Sequence, residues 1–481
     1  MHSDSPTTKL QARVEERSME GPSLTSQGSS PRTVLYPPPQ ELTQAPKALE
    51  GTGQPDIWNA PKSNIVSIIA TFWSFLLLGM NDSSYGILLP HFEEYYDVSY
   101  LAVSLLFLSP VIGFMISTLS NHVLHSTIGR RGMAPLASAS QIIAYMIACF
   151  HPPFYVLVIA FAFIGLGAGL KNASWNGFIS GFENSNELLG LLHGFYGLGA
   201  TILPLVSSFL LSHGWKWYML YYVLVGLISV DLTLSTYAFR KHNAEAYLIK
   251  HGLQEETTQN SVVLSDMPAL NGSDRHAQTS QEPRAKEQNL TFQCFKNKVV
   301  ILCSFYLLAY VGSEVALGGW LVTFMMKVRH GSAFASGIVT SGLWAGITLG
   351  RICLGFVTGR FFSSERVAVI CYLSAAMALE LMFWLIPNFV SSAICVSFLG
   401  FFLGPLFPCV IVCISRLLPL SMKTVAIGIC AAVGASGASI VPFLVGAIAQ
   451  AKGVTVLQPI ILAFLALCML LWLCLPRQRQ A

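Results

Sequence analysis

The chain has 481 residues, 53% of them hydrophobic and only 11% charged, with a net charge of +4. Soluble domains carry about 25% charged residues, so this composition excludes an ordinary soluble enzyme, and the absence of a basic run excludes a nucleic-acid binder. The mean hydropathy of +0.58 points to a membrane protein.

Crossing ~30 Å of hydrocarbon takes about 20 apolar residues at ~1.5 Å per residue. Inside lipid the backbone satisfies its own hydrogen bonds, so such stretches are expected to be helices. Period-two alternation is absent, which argues against a barrel. Residues 1–62 are rich in Ser, Pro, Gln and Thr and predict a disordered cytoplasmic tail. Spans follow at about 64–90, 99–124, 132–151, 154–181, 187–211 and 217–239. Residues 240–297 are polar, a central cytoplasmic loop. Six more spans follow at about 298–325, 332–359, 366–387, 389–415, 422–450 and 455–476, and 477–481 close the chain as a short cytoplasmic tail. The expected fold is an all-α membrane protein of twelve transmembrane helices in two six-helix halves, 63–239 and 298–476.

Lys and Arg in short loops mark the cytoplasmic side. Arg130 and Arg131 follow span two, Arg240 and Lys241 follow span six, and Arg360 and Arg366 flank the turn after span eight. The opposite side has Lys216, Lys327, Arg329 and Lys452 beside the acidic run HFEEYYD. Both termini and the central loop are therefore placed in the cytoplasm. On that topology the sequons at Asn271 and Asn289 are chance matches, and a glycan on either would invert it. Of 11 Cys, all but Cys294 lie in apolar segments and suit packing. No metal spacing, nucleophile with a base, or phosphate-cradling loop appears, so no cofactor, metal or enzymatic activity is expected.

A charge in mid-span costs at least ~2.5–3.5 kcal/mol and normally faces a cavity or a partner. Span one carries GMNDSSYGILLP, where Asp82, Tyr85 and Leu89 share a face and Asn81 adjoins. Asp82 reads as a carboxylate for a proton or a solute hydroxyl, or as a structural helix–helix bond. Span four carries GLGAGLKNASWNGF. Lys171 either pairs with an acid across a cavity or snorkels to the interface, and Trp175 and Asn176 can touch a solute. Span five carries LLHGFYGLGATILP, with His193 and Tyr196 on one stripe; His193 is a proton relay or a structural histidine. Span seven carries YVGSEVALGGWLVTF, with Glu314 one turn from Tyr310, and Trp320 is an interface anchor or a solute platform. Asp231 and Glu380 read as structurally paired acids, and Arg351 as an anchor on the cytoplasmic side of its span. Spans ten and eleven, GFFLGPLFP and GASGASIVP, predict bending and close packing.

The six–loop–six layout resembles the major facilitator superfamily. HVLHSTIGRRG sits where that family has a pattern near G-x-L-x-D-R-x-G-R-R; Leu124, Gly129, Arg130 and Arg131 match, while His122 and Ser126 depart from it. GMNDSSYGILLP, GAGLKNASWN, LHGFYGLGA…P, YVGSEVALGGW and GFFLGPLFP, in order over about residues 64–476, resemble the fucose–proton symporter-like branch. The resemblance implies proton coupling through the first-span carboxylate, here Asp82. It also implies an acid on span four, where this chain has Lys171 and Asn172 instead.

The reading is a secondary transporter of a small neutral or sugar-like solute, proton-coupled by alternating access. Asp82 and Glu314 are the expected proton-coupling residues. Asn81, Tyr85, Lys171, Trp175, Asn176, His193, Tyr196 and Tyr310 are the expected solute contacts. The alternatives are a proton-antiport exporter of a small organic product and a solute-sensing receptor. The expected partners are a small-molecule solute, protons and the lipid bilayer, with the chain acting as a monomer in the plasma membrane or an internal one.

Overall fold

The computed structural model describes residues 56–244 and 292–476 apart from Ser363. The expected N-terminal tail up to residue 55, most of the central loop with both sequons, and residues 477–481 lie outside the described residues.

Among the described residues twelve helices are long and apolar enough to cross a membrane. In chain order they are α1 (Lys62–Tyr96), α2 (Tyr100–Asn121), α3 (Val123–Cys149), α4 (Phe154–Ile179), α5 (Glu187–Ser212) and α6 (Met219–Ala238). Then come α7 (Lys298–Lys327), α8 (Ala333–Phe361), α9 (Glu365–Leu385), α10 (Phe389–Leu417), α11 (Val425–Lys452) and α12 (Val454–Cys474). Each falls on an expected span, because a run of about 20 apolar residues in lipid has no other backbone solution. Turns after the odd-numbered helices define one end of the bundle, the odd end; the Gly129 turn lies at the other, the even end.

The departures have physical causes. α1 runs six residues past its expected end at 90, through Pro90, and closes at Asp97 in the left-handed region with φ 48°. Loss of apolarity marks where lipid ends, and an amphipathic helix continues into water beyond it. Between Tyr100 and Cys149 the chain leaves helical geometry at Gly129 (φ 61°, ψ −175°). A side chain there would also meet the backbone of Asn243 and Ala244, so the turn and the segment after α6 close on one another. Arg131 N donates to the His242 carbonyl across the same contact at 2.9 Å. α10 breaks into Phe389–Leu403 and Leu406–Leu417 around Gly404 and Pro405, where a proline removes a ladder donor.

Small residues set the helix pairs. Gly79 of α1 faces the Tyr196 carbonyl of α5, and Gly199 of α5 faces the Leu76 carbonyl of α1. Gly165 of α4 lies on Pro110 of α2, Gly437 of α11 on Leu308 of α7, and Gly350 of α8 on Phe401 of α10. Thus α1–α5 and α2–α4 pair as α7–α11 and α8–α10 do, six helices later. Between the first six helices and the last six, Gly197 of α5 meets Thr348 of α8 near mid-span, and the contacts of α1 and α2 with α7 and α11 lie toward the odd end. Gly86 of α1 abuts the Gly318 carbonyl of α7, Phe107 of α2 covers Gly319, and Ser104 of α2 covers Gly446 of α11. Lys327 and Glu93 add an ion contact of 3.9 Å there.

A methyl group at Gly79 would overlap the Tyr196 carbonyl. Gly79→Ala is therefore expected to push α1 from α5 and destabilise by about 1–3 kcal/mol, as overpacking does. Gly177, with open space around it, is the matched control. Thermal unfolding in detergent checks this; equal melting temperatures for the two alanine variants would refute the contact.

Candidate functional site

Asp82 lies deep in α1, and its setting is unusual. It is exposed, while Asn81 and residues 83–90 are all buried. Tyr196 Oη of α5 donates to Asp82 Oδ2 at 2.8 Å, and Asn81 Nδ2 reaches Oδ1 at 3.1 Å. Among the described residues no cationic side chain forms an ion pair with it. Asn81 is itself held, accepting from Tyr145 Oη of α3 at 2.9 Å. A hydrogen-bonded line thus runs Tyr145–Asn81–Asp82–Tyr196 across three helices. Tyr85 lies beside this line with its ring in the core, 5.8 Å from Phe107 and 5.5 Å from Phe161.

The second carboxylate has a cation. Arg351 Nη2 of α8 donates to Glu314 Oε1 of α7 at 2.8 Å; the arginine side chain is 25% exposed and the glutamate 7%. Arg351 is thus a correction to its reading as an interface anchor. α8 continues ten residues beyond it to Phe361, so the arginine stands inside the span and finds an acid rather than the lipid surface. Tyr310, fully buried, lies beside the pair. The Tyr196 hydroxyl is close enough to feel Asp82, Glu314 and Arg351 together. His193, exposed one turn before Tyr196, packs edge-on against Phe75 at 5.4 Å and lies near Arg351. The structure therefore brings together Asp82, Asn81, Tyr196, His193, Glu314 and Tyr310, drawn from the first six helices and the last six.

Three expected contacts are engaged elsewhere. Lys171 is 1% exposed and pairs with Asp231 Oδ2 of α6 at 2.8 Å, donating also to Gln141 Oε1 of α3 at 2.6 Å. Ser138 donates to the same carboxylate at 2.7 Å, and Ser74 of α1 donates to its other oxygen. Lys171 does meet an acid, inside a closed polar knot of α1, α3, α4 and α6. Trp175 is buried and stacks on Phe239 with centroids 4.4 Å apart. Asn176 donates to the Asn172 carbonyl one turn away, at 2.9 Å. Trp320 is fully buried, its Nε1 on the Pro442 carbonyl at 2.8 Å and its ring 5.8 Å from Tyr100. It packs α7 to α11 and α2 rather than anchoring at an interface.

Sequence reasoning missed Tyr145 and Arg351 as members of the cluster. Tyr145 has Gln141 one turn before it and Ser138 two turns before it, a polar face that the sequence reading did not use. Among the described residues no group of three His, Cys, Asp or Glu side chains could hold a metal ion. The arrangement offers an exposed carboxylate with no ion-pair partner among the described residues, and a carboxylate–guanidinium pair with Tyr310 and Tyr196 in electrostatic reach. The first can take up and release a proton. The second can accept and donate hydrogen bonds to a polar solute.

A family model described as Major Facilitator Superfamily matches residues 71–442. Bypass of stop codon protein 6 of Saccharomyces cerevisiae is 28% identical over 423 residues, covering 86% of this chain and 82% of that protein. The glucose/mannose transporter GlcP of Bacillus subtilis is 23% identical over 374 residues, covering 77% of this chain and 85% of its own. A crystal structure of a D-xylose-proton symporter superposes with a TM-score of 0.66 at 12% identity, over 86% of this chain and 98% of that one.

Proposed function

The chain belongs to the major facilitator superfamily, as a multi-pass membrane transporter, and on that premise we propose that it couples proton movement to the transport of a small, neutral, sugar-like solute. The observation that carries this reading is Asp82: an exposed carboxylate deep in α1, without an ion-pair partner among the described residues, bonded to a tyrosine whose hydroxyl lies within electrostatic reach of the Glu314–Arg351 pair. An uncompensated charge at that depth is costly. Protonation removes the charge, so proton binding and reorientation of the carrier are linked.

Residues 63–239 and 298–476 act as two halves that rock about this site, a reading supported by the helix pairs recurring six helices apart. The ordered motifs on α1, α4, α5, α7 and α10 favour the fucose–proton symporter-like branch. Relatives at the level of the glucose/mannose transporter GlcP are compatible with a sugar. The positive-inside count favours the even end as the cytoplasmic one, and the plasma membrane is the default location, with an internal membrane the alternative.

The test is solute-induced proton movement in proteoliposomes, with neutral hexoses, pentoses and small organic acids as probes. Proton flux that follows a neutral sugar supports the reading, and its sign separates uptake from exchange. No proton movement with any probe, together with uptake of labelled sugar, would replace coupling by uniport.

The charges also predict selectivity. Lys171 is neutralised by Asp231 and Arg351 by Glu314, so neither offers an uncompensated positive charge to an anion. Dicarboxylates and phosphate are expected to move at least about tenfold more slowly than the preferred neutral sugar, equivalent to ~1.4 kcal/mol of repulsion. Competitive uptake assays check this, and robust dicarboxylate flux would overturn it.

A further inference from the structure

Glu380 of α9 and Gln458 of α12 are both fully buried, and their four side-chain oxygen and nitrogen atoms find no partner among the described residues. The two residues are related by register. The helices run antiparallel, and at the even end Trp472 Nε1 of α12 donates to the Arg366 carbonyl of α9 at 3.1 Å. Arg366 Nη2 donates back to the Leu473 carbonyl at 2.7 Å. Glu380 stands fourteen residues after Arg366, and Gln458 stands fourteen residues before Trp472. Fourteen residues are ~21 Å of helix and nearly four turns of ~3.6 residues. Both side chains therefore return to one level and to the face on which Arg366 and Trp472 meet. Thr323 of α7, buried with an unpartnered hydroxyl, is at the same end of the bundle; the next residue, Phe324, meets Phe383 of α9 at 5.2 Å.

A buried carboxylate without a counter-charge costs several kcal/mol. Among the described residues no cation pairs with it. α12 carries no Lys, Arg or His between Leu457 and Cys474, and neither does α10 between Phe389 and Leu403. Arg329, in the turn after α7, is spent on the Phe383 and Trp384 carbonyls and on Ser392. A hard metal cation takes six or more oxygen ligands, and Glu380, Gln458 and Thr323 together offer four. From this register and burial we infer that Glu380 and Gln458 form a proton-binding site of their own, with the proton carried by the Glu380 carboxyl and Gln458 the polar group set against it from the same level of α12. Both side chains are fully buried, so the proton is resident and is not exchanged with the solute. The inference does not depend on which solute is carried.

The test is infrared absorption of the protein in lipid nanodiscs at neutral pH, read at the carbonyl stretch of protonated carboxyl groups. Glu380→Gln is expected to remove one such band that Asp82→Asn keeps. Gln458→Leu is expected to shift that band without removing it, which tests the contact even where Glu380→Gln fails to fold. Sodium chloride in place of choline chloride is expected to leave the melting temperature unchanged. An infrared spectrum identical in wild type and Glu380→Gln would overturn the inference. So would a band that Gln458→Leu leaves in place, or a sodium-dependent rise in melting temperature that Glu380→Gln abolishes, which would make the site a metal-cation site.

Discussion

Asp82→Asn is expected to abolish solute-driven proton movement in proteoliposomes while the protein folds and still binds solute. Asparagine keeps the shape of the carboxyl and can still meet the Tyr196 hydroxyl, which lies 2.8 Å away. It can neither take nor release a proton. Removing the only acid at this position therefore separates binding from coupling. Flux against a gradient is expected to fall by two orders of magnitude or more, about 2.8 kcal/mol at ~1.4 kcal/mol per tenfold. Solute exchange between equal concentrations is expected to persist, because a permanently neutral side chain mimics the loaded carrier. Tyr196→Phe is expected to give a milder form of the same defect. If Asp82→Asn moves protons as the wild type does, Asp82 is structural and Glu314 takes its place as the coupling acid.

The largest expected loss of stability comes from Asp231→Ala. Lys171 and Asp231 are 1% and 0% exposed, and the aspartate gathers Lys171, Ser138 and Ser74 from three helices. Deleting the acid leaves a buried ammonium with Gln141 alone, at a cost of about 3–5 kcal/mol. Replacing both members, Lys171→Met with Asp231→Leu, removes the stranded charge and is expected to recover most of that loss. Arg416→Ala provides the contrast. It breaks the Arg416–Glu365 pair of 2.6 Å, whose side chains are 54% and 14% exposed, and solvent-screened pairs contribute about 0–1 kcal/mol. Unfolding in detergent, followed by tryptophan fluorescence, ranks the variants. An Asp231→Ala variant no less stable than Arg416→Ala would remove the knot from the account of the fold.

Apolar runs and the cost of buried charge made much of this molecule legible in advance. Twelve spans follow from hydropathy because lipid admits helices and little else. Asp82 and Glu314 stood out because a carboxylate in an apolar run needs a reason. Pairing was not legible. Lys171 and Asp231 are sixty residues apart, and Glu314 and Arg351 thirty-seven, with no local spacing that links them. Trp175 looked available for a solute because one-dimensional spacing cannot tell a cleft from an interface; Phe239, which covers it, comes from the end of α6. Arg351 was misjudged for a related reason: the span was read to residue 359, but nothing in one dimension shows that Glu314 of α7 faces the arginine across the bundle.

The glycine contacts that join α1 to α7 and α2 to α11 lie at one end only, and that gives the central cleft a handedness with respect to the membrane. In this conformation a membrane-impermeant thiol reagent should reach His193→Cys from the even-turn face and not from the other. A bulky residue at Gly86, where the Gly318 carbonyl already touches, would wedge the closed end apart and reverse that preference. The seal is thus also a handle: it identifies where a single side chain would hold the carrier in its opposite facing state.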